Sequence, residues 1–208
     1  MRKKISLLGL RLLHKKKKPK LVKILNKRFY ICPNVFDPRF IFTTKIFIKN
    51  MRIPKNSKVL DMGTGSGIIA VFAAKKAKKV LAVDINPAAV KCAKENAKLN
   101  RLKNVTARKS NLFSNIKEKF DLILFNLPYI KGKSKTMLEK AWFDENTINR
   151  FLKKAKTHLK CNGKIQIIYS NLGNIKNFEK QIKKYNYHSK IIASKNMLVE
   201  KFIFYELS

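Results

Sequence analysis

Acidic side chains are scarce in this chain of 208 residues, which has 12 Asp and Glu against 48 Lys and Arg and a formal net charge of +36. A surplus of this size attracts polyanions strongly at low salt, so nucleic acid is the natural partner. An AT-rich genome or a high-salt cytoplasm would produce the same bias, because the lysines are spread over every predicted helix. Composition alone therefore leaves the partner open.

Cysteine, histidine and long apolar runs are also few. Cys32, Cys92 and Cys161 are odd in number and have no Cys-x-x-Cys spacing, which argues against a disulfide framework and a zinc site. No segment is long enough to span a membrane, and residues 1–13 carry no small-residue cleavage site. We therefore expect free thiols, no metal, no membrane association and a cytoplasmic location.

Glycine is sparse as well, yet three of the seven glycines fall in Gly63-Thr64-Gly65-Ser66-Gly67. This stretch follows a strand-like run that ends at Asp61, and it precedes an apolar segment that is typical of a helix. Glycines in such a turn allow positive φ and close approach of a ligand. Ile68 stands where the third glycine of a dinucleotide fingerprint would fall, which disfavours NAD.

Two further strand ends carry polar residues. Asp84 ends the apolar run 80–83, where a carboxylate can accept hydrogen bonds from both hydroxyls of a ribose. The apolar run 120–125 leads into Asn126-Leu127-Pro128-Tyr129, at the sheet edge where open α/β folds bind ligands. The Asn126 amide and the Leu127 carbonyl can accept both N–H bonds of a planar amino group, and Tyr129 can stack on it.

With these motifs the chain resembles the class I S-adenosylmethionine-dependent methyltransferases, over about residues 35 to 206. Residues 126–129 are similar to the Asn-Pro-Pro-Tyr segment of the small-domain, release-factor glutamine methyltransferase-like branch. Enzymes of that branch methylate adenine or guanine amines in nucleic acids, or the glutamine amide of release factors. The departure at Leu127 keeps the carbonyl, and Pro128 still biases Leu127 towards an extended backbone.

The resemblance implies an enzyme with S-adenosyl-L-methionine as cofactor. Asn111 stands where the family usually has an acidic residue that binds the adenine amine, and Thr44 lies in a segment that lines the pocket in those enzymes. The catalytic residues implied are Asn126, Leu127, Pro128 and Tyr129, and the cofactor-binding residues are Thr44, Asp61, Gly63, Thr64, Gly65, Gly67, Asp84, Ile85, Asn111 and Asn126.

The predicted fold is α/β, a Rossmann-like doubly wound and mostly parallel seven-stranded sheet with an antiparallel C-terminal edge hairpin. Residues 1–34 are predicted to form a basic N-terminal extension and residues 35–208 the methyltransferase domain. We expect strands near 58–62, 79–84, 104–108, 121–126, 163–169, 189–193 and 198–206, with helices near 66–77, 87–99, 145–160 and 174–185. The phenylalanines Phe36, Phe40, Phe42 and Phe47 either line the pocket or form the apolar face of an N-terminal helix.

The preferred acceptor at this point is a base amine in RNA, either ribosomal or transfer RNA. Positive charge is concentrated with aromatics before the core, at Lys15–Lys18, Lys20, Lys23, Lys27, Arg28, Phe29 and Tyr30. A release-factor glutamine is the alternative acceptor, and a basic RNA-binding protein that uses the fold as a scaffold is the non-enzyme alternative. The lysine-rich loop 130–144, with Trp142, either closes over the acceptor or is an ordinary surface connection.

Overall fold

A computed structural model describes residues 18–38, 43–144, 146–197 and 200–208. The strands are β1 (Lys20–Ile24), β2 (Lys27–Ile31), β3 (Lys58–Met62), β4 (Lys79–Asp84), β5 (Val105–Lys109), β6 (Phe120–Asn126), β7 (Ile130–Lys131), β8 (Phe143–Asp144), β9 (Leu159–Ser170), β10 (Ser189–Asn196) and β11 (Lys201–Leu207). The α-helices are α1 (Thr43–Asn50), α2 (Ile68–Ala73), α3 (Pro87–Leu99), α4 (Thr147–Ala155) and α5 (Ile175–Lys184).

The central sheet has seven strands in the order β10-β11-β9-β6-β3-β4-β5. Strands β5, β4, β3, β6 and β9 are parallel, whereas β11 is antiparallel to β9 and pairs with β10 as a hairpin. The mostly parallel sheet with its antiparallel edge hairpin confirms the predicted fold. The chain winds outward from β3 to β5 and then returns to β6 on the other side of β3. Ligands bind at such a reversal of strand order.

Several predicted boundaries were wrong by a few residues. Helix α2 begins only at Ile68, because Gly67 has φ +80 and cannot continue a right-handed helix. It ends at Ala73, where the amides of Lys75 and Lys76 bond to carbonyls three residues back, a tightening typical of a helix terminus. Helix α3 matches its prediction, since Pro87 follows Asn86, whose side chain accepts a hydrogen bond from the Ala88 amide.

The largest boundary error lies between α4 and β9. A helix was expected to reach residue 160, but α4 ends at Ala155, a 3-10 turn follows at 156–158, and β9 already begins at Leu159. Leu159 pairs with Phe120 of β6, and the pairing shifts register before Leu122 meets Lys164. The early part of β9 is thus specified by pairing with β6, which local helix propensity could not reveal.

The basic N-terminal segment contains a hairpin that the sequence analysis did not predict. β1 and β2 are antiparallel and are joined by Leu25 and Asn26, both with positive φ. The inner face of the hairpin packs on α2 through Ile68 and Val71. From Lys20 onward, buried contacts therefore join the predicted extension to the sheet domain. The boundary between residues 34 and 35 stays a prediction, and Lys15–Lys17 lie outside the described residues.

Two of the four phenylalanines in the segment around α1 lie within the described residues. Phe47 is fully buried and packs edge-on against Phe204 of β11, with ring centroids 4.8 Å apart. Phe36 lines the cavity described below. Phe40 and Phe42 lie outside the described residues. Packing and pocket roles thus both occur in this segment, at different positions.

Two absences concern the described part of the chain only. No helix there combines the length and the apolar character that a membrane crossing needs. Within the same residues, no group of three or more His, Cys, Asp and Glu side chains is arranged to hold a metal ion. Cys32, Cys92 and Cys161 are free thiols.

Candidate functional site

A cavity of about 590 Å³ opens at the carboxyl ends of β3, β4 and β6. Its volume lies within the range of roughly 300 to 1,000 Å³ that is usual for ligand clefts. The walls come from the segment before α1, the β3–α2 turn, the ends of β4 and β6, and the loop 130–144. Of the predicted site residues, Thr44, Gly63, Thr64, Gly65, Asp84, Ile85, Asn111, Asn126, Leu127, Pro128 and Tyr129 line it.

The glycines of the β3–α2 turn serve different purposes. Gly63, Gly65 and Gly67 all have positive φ, at 63°, 55° and 80°. A Cβ added to Gly65 would meet no heavy atom within 4 Å, so this backbone faces open space in the cavity. A Cβ on Gly67 would lie 2.8 Å from the Cα of Ala93. Gly67 therefore permits close packing of α3 and does not line the cavity.

The carboxylate of Asp84 connects the end of β4 to this turn. Its Oδ2 accepts a hydrogen bond from the Gly65 amide, and its Oδ1 accepts one from the Asn86 amide, each at 2.9 Å. Burial raises the pKa of Asp84, and the hydrogen bonds from Asn86, Gly65 and Ile85 offset part of that rise. A carboxylate has about four acceptor sites, so the Asp84 carboxylate keeps acceptor capacity for a ribose hydroxyl.

The side chain of Asp61, which was predicted to bind the cofactor, does not line the cavity. Its Oδ2 accepts hydrogen bonds from the Thr64 hydroxyl at 2.6 Å and from the Ala70 amide at 3.0 Å. Burial raises the pKa of Asp61 to about 7. Its Oδ1 is buried and has no hydrogen-bond partner among the described residues. Asp61 therefore stabilises the turn from the side that faces away from the cavity. Its effect on cofactor binding is through the conformation of that turn.

Asn111 lines the cavity, but its amide oxygen is already engaged. It accepts a hydrogen bond from Nη2 of Arg150 in α4, at 3.1 Å. Arg150 also lines the cavity, and nothing in the sequence distinguishes it from the other Lys and Arg residues, which number 48 in all. A second lone pair of the Asn111 oxygen is available for the predicted contact with an adenine amine.

The orientation of the Asn126 amide is fixed by a residue from a distant segment. Its Nδ2 donates to the Thr43 hydroxyl at 3.4 Å, which leaves its Oδ1 as the acceptor atom at the end of β6. Thr43 and its neighbour Thr44 both line the cavity at the start of α1. Thr44 was predicted from the sequence and Thr43 was not, because only the tertiary structure brings Thr43 to Asn126.

The remaining residues of the Asn-Leu-Pro-Tyr segment differ in exposure. The Leu127 side chain is buried in the core, so its expected role rests on its backbone carbonyl. Tyr129 donates its hydroxyl to Oε1 of Glu200 at 3.1 Å, and its ring meets the Tyr169 ring at an angle of 67°. The Ser170 hydroxyl donates to the same Glu200 oxygen. These contacts fix the Tyr129 ring beside the end of β6.

Glu200 is the second residue of this end of the cavity that the sequence analysis missed. It lines the cavity and is half-buried, and burial raises its pKa while the bonds from Ser170 and Tyr129 oppose the rise. It lies in the turn of the terminal hairpin, 71 residues after Tyr129. Its only signal in the sequence was its rarity, as one of 12 acidic residues.

The loop 130–144 forms a wall of the cavity. β7 and β8 pair in parallel, and the Ile130 amide bonds to the Trp142 carbonyl at 2.9 Å. The buried Trp142 lines the cavity together with Met137 and Leu138. Of the two alternatives from the sequence, the position over the cavity agrees better with a loop that covers the acceptor. That function stays a prediction.

Comparison with known proteins agrees with this geometry. Residues 26–197 match the family model described as "Methyltransferase small domain". The chain belongs to this family. It is a methyltransferase that uses S-adenosylmethionine, as the Rossmann-like fold and the family assignment together establish. The predicted family, enzyme class and cofactor are confirmed.

Three similar proteins illustrate the relationship. The chain is 38% identical, over 73% of its length and 80% of the relative, to a Methanocaldococcus jannaschii protein named "Putative protein N5-glutamine methyltransferase". It is 32% identical, over 70% of its length and 40% of the relative, to "Ribosomal RNA small subunit methyltransferase C" of Psychromonas ingrahamii. The structure of Methanocaldococcus jannaschii Trm5 in complex with adenosine shares the fold, with a TM-score of 0.66 at 21% identity over 92% of this chain and 56% of that one.

The residues present fit this cofactor. The Gly65 backbone leaves room that any side chain would fill, and the Asp84 carboxylate keeps acceptor capacity at the cavity wall. The cavity also continues from the β3–α2 turn to Asn126 and Tyr129. A nucleoside end and a reactive end can thus be held in one continuous space.

Proposed function

We propose that this enzyme transfers a methyl group to the side-chain amide nitrogen of a glutamine in a protein. The observation that carries the proposal is the relative from Methanocaldococcus jannaschii, which the chain matches over 80% of that protein's length and whose name states this reaction. From the sequence, an RNA base amine was the preferred acceptor because of the net charge of +36. Charge reports on partners at the surface and says little about the acceptor group inside the cavity.

The cofactor end of the cavity is assigned to the β3–α2 turn and to Asp84. Gly63 and Gly65 let the backbone approach the cofactor closely. Asp84 accepts hydrogen bonds from the ribose hydroxyls while its existing bonds to Gly65 and Asn86 hold the carboxylate in place. When bound, the cofactor supplies an electrophilic methyl group on a sulfonium.

The acceptor end is assigned to Asn126, Leu127 and Tyr129. The Asn126 Oδ1 and the Leu127 carbonyl accept the two N–H bonds of the glutamine amide and orient its nitrogen lone pair. Methyl transfer would form the C–N bond and break the S–C bond of the cofactor, and the cationic nitrogen would then release its proton to water. No general base is needed before the attack. The hydrogen bond from the Asn126 NH₂ group to Thr43 supports this assignment. It leaves the Asn126 Oδ1 free to accept a hydrogen bond from the glutamine amide.

A base amine in RNA is the second candidate acceptor. The relative named as a ribosomal RNA methyltransferase supports it, although the chain spans 40% of that relative. The net charge of +36 supports it as well. A planar exocyclic amine presents the same two N–H bonds as an amide, so the acceptor end suits either group.

Methyl transfer with labelled S-adenosylmethionine separates the two acceptors. The protein is incubated in parallel with a translation release factor, its variant with the acceptor glutamine changed to Asn, ribosomal RNA, transfer RNA and DNA. Label is expected in the release factor and not in that variant. Label that enters RNA alone, and that is lost with Asn126→Ala, would transfer the proposal to the RNA base amine.

A further inference from the structure

The outer face of the N-terminal hairpin combines exposed apolar and basic side chains. Leu21 of β1 lies directly opposite Tyr30 of β2, and Lys23 lies opposite Arg28. Leu21 is 47% and Tyr30 39% exposed, and Lys23 and Arg28 are also exposed. We refer to these four side chains as the hairpin face. Neither cation of the hairpin face has an ion-pair partner among the residues that the structure describes.

Two features of the hairpin face are energetically unfavourable when no binding partner covers it. Like charges directly opposite each other destabilise an antiparallel pair. Lys27, which precedes Arg28 in β2, is also close to a second cation, since burial and the charge of Lys75, in the turn after α2, lower the pKa of Lys27. Of the six large apolar side chains that are exposed in the described residues, three belong to this hairpin: Leu21, Leu25 and Tyr30. Repulsion and apolar exposure thus coincide here.

The hairpin is nevertheless held firmly, and it is joined to the cofactor turn. Asn96 of α3, which is fully buried, bonds to both the amide and the carbonyl of Tyr30, each at 2.7 Å. The same Asn96 amide donates to the carbonyl of Ser66 in the β3–α2 turn at 2.8 Å. Asn100 donates to the Arg28 carbonyl at 3.0 Å. The backbone of the hairpin face is therefore fixed, which lowers the entropic cost of binding through it.

We propose that the hairpin face is a docking surface for single-stranded RNA. Lys23 and Arg28 supply positive charge for a phosphate backbone, and Tyr30 with Leu21 supplies a platform on which one base can stack. The net charge of +36 favours a polyanion over an acidic protein patch, and a polyanion whose bases can stack also uses the exposed tyrosine ring. The face adds a partner to the proposed function and does not depend on which acceptor is methylated.

The test measures binding of a fluorescein-labelled 20-nucleotide oligouridine by anisotropy over a range of salt concentrations, with the full chain and no cofactor. Lys23→Ala/Arg28→Ala should reduce the slope of log K against log salt by about 1.4, since each phosphate contact contributes about 0.7 on a single strand. Tyr30→Ala should weaken binding at least about 5-fold, the lower bound for loss of one stacked base.

Matched controls separate a site from the general charge. Lys176→Ala/Lys180→Ala removes two exposed charges one turn apart on α5, and Ile191→Ala removes an exposed apolar side chain from β10. The controls should leave binding within 2-fold of the unchanged protein. Thermal melts should show that every variant is folded, and Lys23→Ala/Arg28→Ala should be at least as stable as the unchanged protein because it removes the repulsion between the two cations.

Three outcomes would overturn the proposal. The first is equal loss in the α5 control, which would mean that binding follows net charge. The second is no measurable RNA binding at low salt. The third is preferential binding to vesicles that contain anionic lipid, with loss in the Tyr30 variant, which would assign the face to a membrane surface. Because methylation is not the readout, these outcomes leave the proposed reaction untouched.

Discussion

The two ends of the cavity are built in different ways. At the cofactor end, residues 61–86 supply the turn and both carboxylates, and most of the hydrogen bonds join residues that are close in sequence or lie on neighbouring strands. At the acceptor end, Asn126 depends on Thr43, and Tyr129 depends on Ser170 and Glu200. The cofactor end is thus a local backbone structure, whereas the acceptor end is an assembly of side chains from distant segments. Substitutions should therefore affect cofactor binding and turnover separately.

The largest expected effect is on turnover at the acceptor end. Asn126→Ala removes an acceptor whose bonds strengthen as the amide nitrogen becomes cationic, so kcat should fall about 100- to 1,000-fold, as for loss of one preorganised polar group at a reacting centre. Cofactor affinity by calorimetry should change little. Thr43→Val, which removes only the partner of the Asn126 amide, should cause a smaller loss. Wild-type turnover in the Asn126 variant would place the site elsewhere.

The next prediction concerns two glycines of one turn. Gly67→Ala places a Cβ 2.8 Å from the Cα of Ala93 at φ +80, so the free energy of unfolding should fall by about 2 to 4 kcal/mol through overpacking and strain. Gly65→Ala meets no atom within 4 Å and should cost only about 1 to 2 kcal/mol of backbone strain. Urea denaturation measures both.

For cofactor affinity, the order of the Gly65→Ala and Gly67→Ala variants should be the reverse of their order in stability. Gly65→Ala fills space in the cavity, so its affinity loss should exceed that of Gly67→Ala at a temperature where both are folded. If Gly67→Ala were as stable as the unchanged protein, the close approach of α3 to the turn would be wrong.

A third prediction isolates the cofactor end. Asp84→Ala removes the acceptor for the ribose hydroxyls, at a cost of about 1.5 to 3 kcal/mol in cofactor binding. Asp121→Ala is the control, because this carboxylate pairs with Lys160 at the opposite end of β6. Calorimetry should show weaker binding in the Asp84 variant alone. Unchanged affinity in a folded Asp84 variant would contradict the assignment.

The smallest expected effect tests the side-chain assembly around Tyr129. Tyr129→Phe keeps the ring but removes its hydrogen bond to Glu200, so turnover should fall about 2- to 10-fold, the range for one hydrogen bond of 0.5 to 1.5 kcal/mol. Tyr187→Phe removes a buried hydroxyl that bonds to the Leu152 carbonyl away from the cavity. Its turnover should stay unchanged, and an equal loss in both variants would make the Glu200 contact merely structural.

The sequence determined the sheet domain and the cofactor end. Buried parallel strands are continuous apolar runs, and glycines and carboxylates at their ends are visible because each lies within a few residues of its strand. This is why β3, β4, β6, Asp84 and the Asn126 segment were found. The hairpin β1–β2 was not predicted, because basic residues are interspersed among its few apolar positions and its inner face is defined only by its packing on α2 and its hydrogen bonds to α3.

Only the tertiary structure decided which residues at the sheet edge line the cavity and which stabilise the turn behind it. It turned Asp61 and Gly67 away from the cavity, and it brought Thr43, Arg150 and Glu200 to the cavity wall. The physical reason is that a backbone turn is specified by the allowed φ and ψ of neighbouring residues, which the sequence spells out. A hydrogen bond between residues 71 or 83 positions apart is specified only by how the helices and strands pack.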